Sequence, residues 1–375
     1  MSSADGNGVP RELRVVFCWA EVTGYMAACW KALAKRPGVD LHIVHTKKLF
    51  EQPTRFDLDP LLNGLSHQEF SKDAPDLDAW LLEHVTGHRP DVVVICGWIF
   101  WPYTRLMQAT QLEHVAMVLG MDSPWLGTLR QRLAHLKLGA VANAADLVVS
   151  ASERSAEYAR RIGVPADRIQ SGYYGFDYDR FSPVAEQRPA QPGKWPRQFL
   201  FVGRYVEQKD LATLVAAYSL YREGVSNPWG LTCCGAGKQG SLLQGVPGVV
   251  DAGFIQPNDQ PALFRDHGAF VLSSKFEPWG VVLAEAAASG LPLICTTACG
   301  AGMDLVRPYF NGLVIPPGDV RRLARAMRWM HDHEDELPLM GRRGQALAQG
   351  FSADAWALRW HNYLLDAVDE PAREN

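Results

Sequence analysis

Short apolar runs alternate with helix-like segments along nearly the whole chain, and that alternation leaves few folds open. LRVVFCWA, VDLHIVHT, DVVVICGWIF, HVAMVLGM and ADLVVSAS carry Val, Ile and Leu on consecutive positions rather than alternate ones. Strands of that kind are buried on both faces, as in a parallel sheet covered by helices on each side. YMAACWKALAKR and LDAWLLEHVTGH read as covering helices, and a long helix is expected from Gly127 to about Ala145. The rhythm restarts with RQFLFVGRY and continues through KDLATLVAAYSLYREG, WGLTCCGAG, GVVDAGFI, GAFVLSS and LPLICT. Between the two rhythms, residues Ala185 to Pro196 are Pro-rich, polar and aperiodic, which predicts a linker. The expected division is residues 1–190, with 1–10 as a loose tail, residues 197–350, and a final helix over 351–375. With 375 residues, two domains are the default expectation. The fold class read from this pattern is α/β, two Rossmann-like doubly wound domains. Ligands of such open sheets bind at the carboxyl ends of the strands, so the expected site is a central cleft that both domains face.

Composition narrows the function. A net charge of -4 gives no general case for nucleic-acid binding. No apolar run is long enough to span a bilayer, and the start lacks a signal-peptide core, so the expected location is cytoplasmic. Seven cysteines is an odd number; Cys18, Cys96, Cys233, Cys234 and Cys295 lie in or beside strand-like runs, which suits reduced, buried thiols. Cys295 and Cys299 join no His or Cys cluster at metal spacing, so no metal site is assigned.

The segment Ser273 to Asp319 carries the chemistry. Glu277 sits in the turn EPWG, the helix-like VVLAEAAASG follows at once with a second acid, Glu285, and the apolar LPLICT comes next. A helix N-terminus at the edge of a parallel sheet is suited to a phosphate. Two carboxylates at this spacing could hold hydroxyl groups of a sugar and a ribose. The order E-P-x-G, E-A, G-x-P, N-G, P-P-G-D resembles the Glu-x7-Glu motif of retaining glycosyltransferases of the GT-B fold, family four. FLFVGRYVEQKD resembles the G-R-x-x-x-x-K-G segment that opens the second domain of those enzymes.

The resemblance covers about Leu13 to Ala367 and implies a role for each matching residue. Arg204 and Lys209 would grip the donor diphosphate, where charge grows as the glycosidic bond breaks. The N–H groups of Gly280, Val281 and Val282 would face the same phosphates. Glu285 would bind the ribose. Glu277 would lie beside the donor sugar, with Asp122 as the other catalytic candidate. Gly24 would let the backbone approach the donor; Gly235, Phe254 and Ile255 would flank the base. The chain departs from the family at four places: Thr23-Gly24 for two glycines, Met121 for His, Tyr174 for Asn and Asp210 for Gly. Gly175 and Asp177 read as a domain-closing turn. Trp98, Trp101 and Trp125 could line an acceptor site or fill the core. Arg130, Arg132, His135 and Lys137 read as a solvated helix face, with contact to the inner face of an anionic membrane as the alternative.

The implied activity is metal-independent transfer of a sugar, with retention, from a nucleotide-diphosphate sugar to a carbohydrate or glycosylated acceptor. The nucleotide sugar is a co-substrate and no cofactor is implied. A GT-B epimerase or phosphorylase-like enzyme is a rival within the fold. A binding protein or inactive partner is a rival of another class.

Overall fold

The structure, a computed structural model, describes residues 12–46, 57–189 and 193–369; the expected N-terminal tail lies outside them. The described chain divides into two compact units. One holds residues 12–46, 57–175 and 353–369, the other residues 176–189 and 193–352.

The first unit is built on seven strands: β1 (Leu13–Trp19), β2 (Val39–Thr46), β3 (Ser66–Phe70), β4 (Val92–Ile95), β5 (Ala116–Met121), β6 (Leu147–Ser150) and β7 (Ile169–Ser171). Their order is β3-β2-β1-β4-β5-β6-β7, and every pairing is parallel. The consecutive apolar residues of β1, β4 and β5 are buried, as two-sided helix cover requires. The chain direction across the sheet reverses between β1 and β4, which puts a crevice at their carboxyl ends. The edge strand β3, Ser-His-Gln-Glu-Phe, is mostly exposed and carries no apolar run that would announce it. The last helix, Ala353–Asp369, packs in this unit. Trp356 and Trp360 are fully buried, and their indole N–H groups donate to the carbonyls of Tyr173 (2.9 Å) and Gly172 (3.1 Å). Trp360 lies 5.5 Å from the Phe17 ring on β1.

The second unit has six parallel strands: β8 (Gln198–Val202), β9 (Gly230–Cys234), β10 (Val249–Gly253), β11 (Ala269–Leu272), β12 (Leu293–Thr296) and β13 (Gly312–Ile315). Their order, β10-β9-β8-β11-β12-β13, repeats the same reversal, here between β8 and β11. Two parallel-sheet α/β domains are therefore present.

Three expectations change. The division falls after Gly175, not near residue 190, because the helix Tyr178–Glu186 packs on helices Gln260–Arg265, Val281–Ala288 and Leu337–Ala348 of the second unit. The described parts of the expected linker are anchored, not loose. The Arg188 guanidinium donates to the carbonyls of Phe264, His267 (2.7 Å) and Ser289, and buried Trp195 donates to the Gly268 carbonyl at 2.8 Å. The helix expected over 127–145 is two helices, Leu129–Arg132 and His135–Asn143, interrupted at Leu133 and Ala134. All seven cysteines are free thiols and six are buried; burial pushes Cys96 and Cys234 up to about 12.

Candidate active site

The second unit brings two predicted segments together at its point of strand reversal. β8 ends at Val202 and runs into the turn Gly203–Lys209; β11 ends at Leu272 and runs into Ser273–Gly280. Backbone and side chain lace these turns: Lys275 N–H donates to the Gln208 carbonyl (2.8 Å), and the Ser273 hydroxyl to the Lys209 carbonyl (2.9 Å). As a result the Lys209 ammonium pairs directly with the Glu277 carboxylate, whose Oε2 also accepts the Ser274 hydroxyl at 3.3 Å. Both charged side chains are about seven-eighths buried, 13% and 12% exposed, so the pair is held in a low-dielectric setting rather than in open water. Arg204, from the same turn, is exposed and makes no ion pair among the described residues.

The EPWG turn is fixed from behind. Trp279 is buried, donates its indole N–H to Asp304 at 3.1 Å and lies 5.4 Å from Phe351. Ala301 N–H donates to the Trp279 carbonyl at 2.7 Å. Gly280 then opens the helix Val281–Ala288 at φ +98°, a conformation that L side chains rarely adopt. A Cβ there would stand 3.0 Å from the Glu277 Cγ. The helix has no side-chain cap, and the N–H groups of Gly280, Val281 and Val282 donate to no backbone carbonyl among the described residues. They are the orphan donors of a helix start, the arrangement that favours an anion.

Glu285 lies one turn further along this helix, among buried Leu283, Ala284, Ala286 and Ala287. It keeps a partial solvent opening, yet the protein around its carboxyl is dense enough that burial pushes it up to about 7. The Arg180 guanidinium pulls the value back and Asp177 adds to the rise. Both neighbours come from the start of the helix Tyr178–Glu186, where the Asp177 side chain accepts from Arg180 N–H. The sequence reading missed Arg180 because nothing in DYDRF marks it as a partner of a residue 105 positions later.

Asp210 stands where the resemblance expects Gly, and the backbone there is left-handed, φ +56° and ψ +53°. Aspartate tolerates that region better than most L-residues. It also caps the helix Leu211–Glu223 by accepting from Thr213 N–H, and it pairs with Lys275 at 2.9 Å. The turn survives the substitution. The Gly-rich loop after β9 is a packing feature in this structure: a Cβ on Gly235 would meet the Gly203 carbonyl oxygen at 1.9 Å. Phe254 and Ile255 follow β10 and are partly buried.

In the first unit, Gly24 opens the helix Gly24–Ala34 beyond the carboxyl end of β1. Asp122 follows β5 and accepts the Tyr174 hydroxyl at 2.9 Å; Tyr174 in turn stacks edge-on with Tyr25 at 5.7 Å. Two departures from the family thus meet here: Met121 is buried in the core, and Tyr174 supplies a hydrogen bond to the remaining acid. Trp98 and Trp125 pack on Tyr158, whereas Trp101 is 51% exposed. A cavity of about 730 Å³ opens at the opposite, amino edge of this sheet, beside Arg14, Arg89, Asp91 and His114; it takes in none of the predicted residues.

Comparison with known proteins agrees with this layout. The family described as glycosyl transferases group 1 matches residues 185–346, and the glycosyl transferase 4-like domain matches residues 25–171. Each match takes in less than half of the chain, and between them the chain is similar to glycosyl transferases over residues 25–171 and 185–346. Among similar proteins, glycogen synthase of Mycobacterium tuberculosis is 28% identical over 279 residues, 71% of this chain and 65% of the synthase, so the chain spans just under two thirds of that relative's length. D-rhamnosyltransferase WbpZ of Pseudomonas aeruginosa is 28% identical over 332 residues, 81% of this chain and 76% of WbpZ. Among solved structures, HepE of Anabaena in complex with UDP superposes with a TM-score of 0.72 at 18% identity, over 94% of this chain and 100% of that one. That likeness places the chain in the GT-B fold.

Proposed function

We propose that this protein transfers a sugar from a nucleoside-diphosphate sugar to an acceptor hydroxyl, with retention at the anomeric carbon and without a metal in the reaction. The observation that carries the proposal is the Lys209–Glu277 pair beside the open helix start at Gly280, assembled from segments 68 residues apart. An ammonium and three backbone N–H groups converge on one edge, as the leaving diphosphate requires. Arg204, exposed on the same turn, is free to close on the phosphates. Glu285 holds the ribose hydroxyls and Glu277 contacts the sugar. Gly235, Phe254 and Ile255 lie near the base. The relatives' names, which include a GDP-mannose-dependent mannosyltransferase and complexes with UDP, leave the base open.

The test is incubation with a panel of UDP-, GDP-, ADP- and dTDP-sugars and an acceptor mixture, with product configuration read by NMR. Release of nucleotide that Glu277→Ala loses, and that EDTA leaves unchanged, supports the proposal. No turnover of any donor by folded protein favours a binding protein that keeps the fold.

A membrane-side acceptor has one observation in its favour. Leu126, Leu129, Leu133 and Leu136 are 49%, 73%, 53% and 73% exposed beside Arg130, Arg132 and Lys137. Apolar side chains rimmed by cations suit shallow docking on an anionic surface. Sedimentation with phosphatidylglycerol vesicles, lost in Leu129→Ser/Leu136→Ser, tests it; no difference from neutral vesicles rejects it.

A further inference from the structure

Three histidines that no step above uses meet on the first unit, between the strand β2 and the helix Leu77–Gly87. His42 is buried on β2; His84 and His88 stand four residues apart on the helix's last turn and cap, and both are partly exposed. One ring nitrogen from each lies within 4.8 Å of the other two. His42 Nε2 and His84 Nε2 are 3.0 Å apart, and the His42 and His88 rings stack at 3.8 Å. A tetrahedral zinc ion with Zn–N bonds of about 2.0–2.1 Å would set its nitrogens roughly 3.4 Å apart, inside the span these rings already cover.

The outer nitrogens are also arranged for ligation. The His88 Nδ1 lies 2.8 Å from the His84 carbonyl, which can only accept, so Nδ1 carries the proton and the His88 Nε2 keeps its lone pair. The His42 Nδ1 is held by the Ser66 hydroxyl at 2.8 Å, from the facing position of β3. Trp80 stacks on His84 at 4.9 Å and fixes its ring plane. Metal-bound imidazoles are oriented by such partners on their second nitrogen.

We propose that His42, His84 and His88 bind a divalent first-row transition-metal ion, zinc foremost, through three ring nitrogens, with a fourth position open to water. Three imidazoles with no carboxylate in the set favour zinc over magnesium or calcium. The ion clamps the carboxyl end of the helix Leu77–Gly87 to β2, replacing the His42–His84 hydrogen bond. It takes no part in sugar transfer. The pattern was legible in part: LLEHVTGH places His84 and His88 on one helix face, but nothing local pairs them with a strand residue 42 positions earlier.

Cobalt(II) is the probe. Untagged full-length protein is titrated with Co²⁺, then with Zn²⁺. The expected result is visible absorption of four- or five-coordinate Co²⁺ that saturates at one equivalent, is displaced by Zn²⁺ and is absent from His84→Ala and His88→Ala. Both positions are partly exposed, so circular dichroism should show those variants folded. Ser66→Ala should weaken zinc binding roughly tenfold, and His135→Ala, on another helix, should change nothing. No visible band, or one that survives in His84→Ala/His88→Ala, overturns the proposal. The spectrum reads this site whether or not sugar transfer is observed.

Discussion

At Glu285, the burial that would strengthen a hydrogen bond to a ligand also resists ionisation. The folded protein holds a proton there up to about pH 7 that the unfolded chain releases near 4.5. The contribution to stability is therefore complete below pH 4.5 and is lost as pH rises through 7. Glu285→Gln should remove that loss and raise stability at pH 8, on the order of 2 kcal/mol after allowance for its solvent opening, as denaturant midpoints at pH 5 and pH 8 would show. If the carboxylate holds a ribose, nucleotide affinity should increase between pH 6 and 8 in the wild type, and that increase should vanish in Glu285→Gln. An affinity profile that is the same in both proteins would remove Glu285 from the site. Arg204, being exposed, makes a cleaner probe: Arg204→Ala should weaken diphosphate binding and leave the melting temperature within about 1 °C, since exposed substitutions cost little.

The turn before the helix Leu211–Glu223 depends on Asp210 for a left-handed backbone, a cap and an ion pair. Asp210→Gly should cost only a few tenths of a kcal/mol, because glycine suits both the backbone and the cap position; Asp210→Ala should cost about 1–2 kcal/mol. Equal melting temperatures for the two variants would contradict the reading of that turn. Gly280→Ala should cost more in turnover than in stability, because the strained residue would sit against Glu277 at the helix start. Most elements were legible in sequence because their apolar runs are continuous. β3 was not, since an edge strand such as Ser66–Phe70 has polar company on both faces. The break at Leu133 and Ala134 was hidden because neither residue is a helix breaker. In the site, residue types and spacing pointed to Glu277, Glu285 and Lys209. Arg180, Tyr174 and the pairing of His42 with His84 depend on contacts between distant segments, which no local pattern encodes.

For the whole molecule, the first unit is discontinuous in sequence and is completed by the last helix. Trp356 and Trp360 bury themselves against Phe17 and the carbonyls of residues 172–173. Trp356→Ala should destabilise the chain by about 3–5 kcal/mol. A fragment ending at residue 175 should fail to fold, whereas one of residues 176–352 should fold alone, as heteronuclear NMR dispersion would show. The sequence placed the boundary near residue 190 because Pro and Gly cluster there; Arg188 and Trp195, which tie that segment down, do so through partners some 70 to 100 residues away. On the proposed function, the second unit holds a nucleoside diphosphate on Arg204, Lys209, Glu285 and the Gly280 helix start. The most direct test is calorimetric titration of UDP, GDP, ADP and dTDP into the wild type, Arg204→Ala and Glu285→Ala. One nucleotide should bind, and each variant should weaken it at least about tenfold, about 1.4 kcal/mol. Binding that both variants leave unchanged, or no binding of any nucleotide to folded wild type, would contradict it.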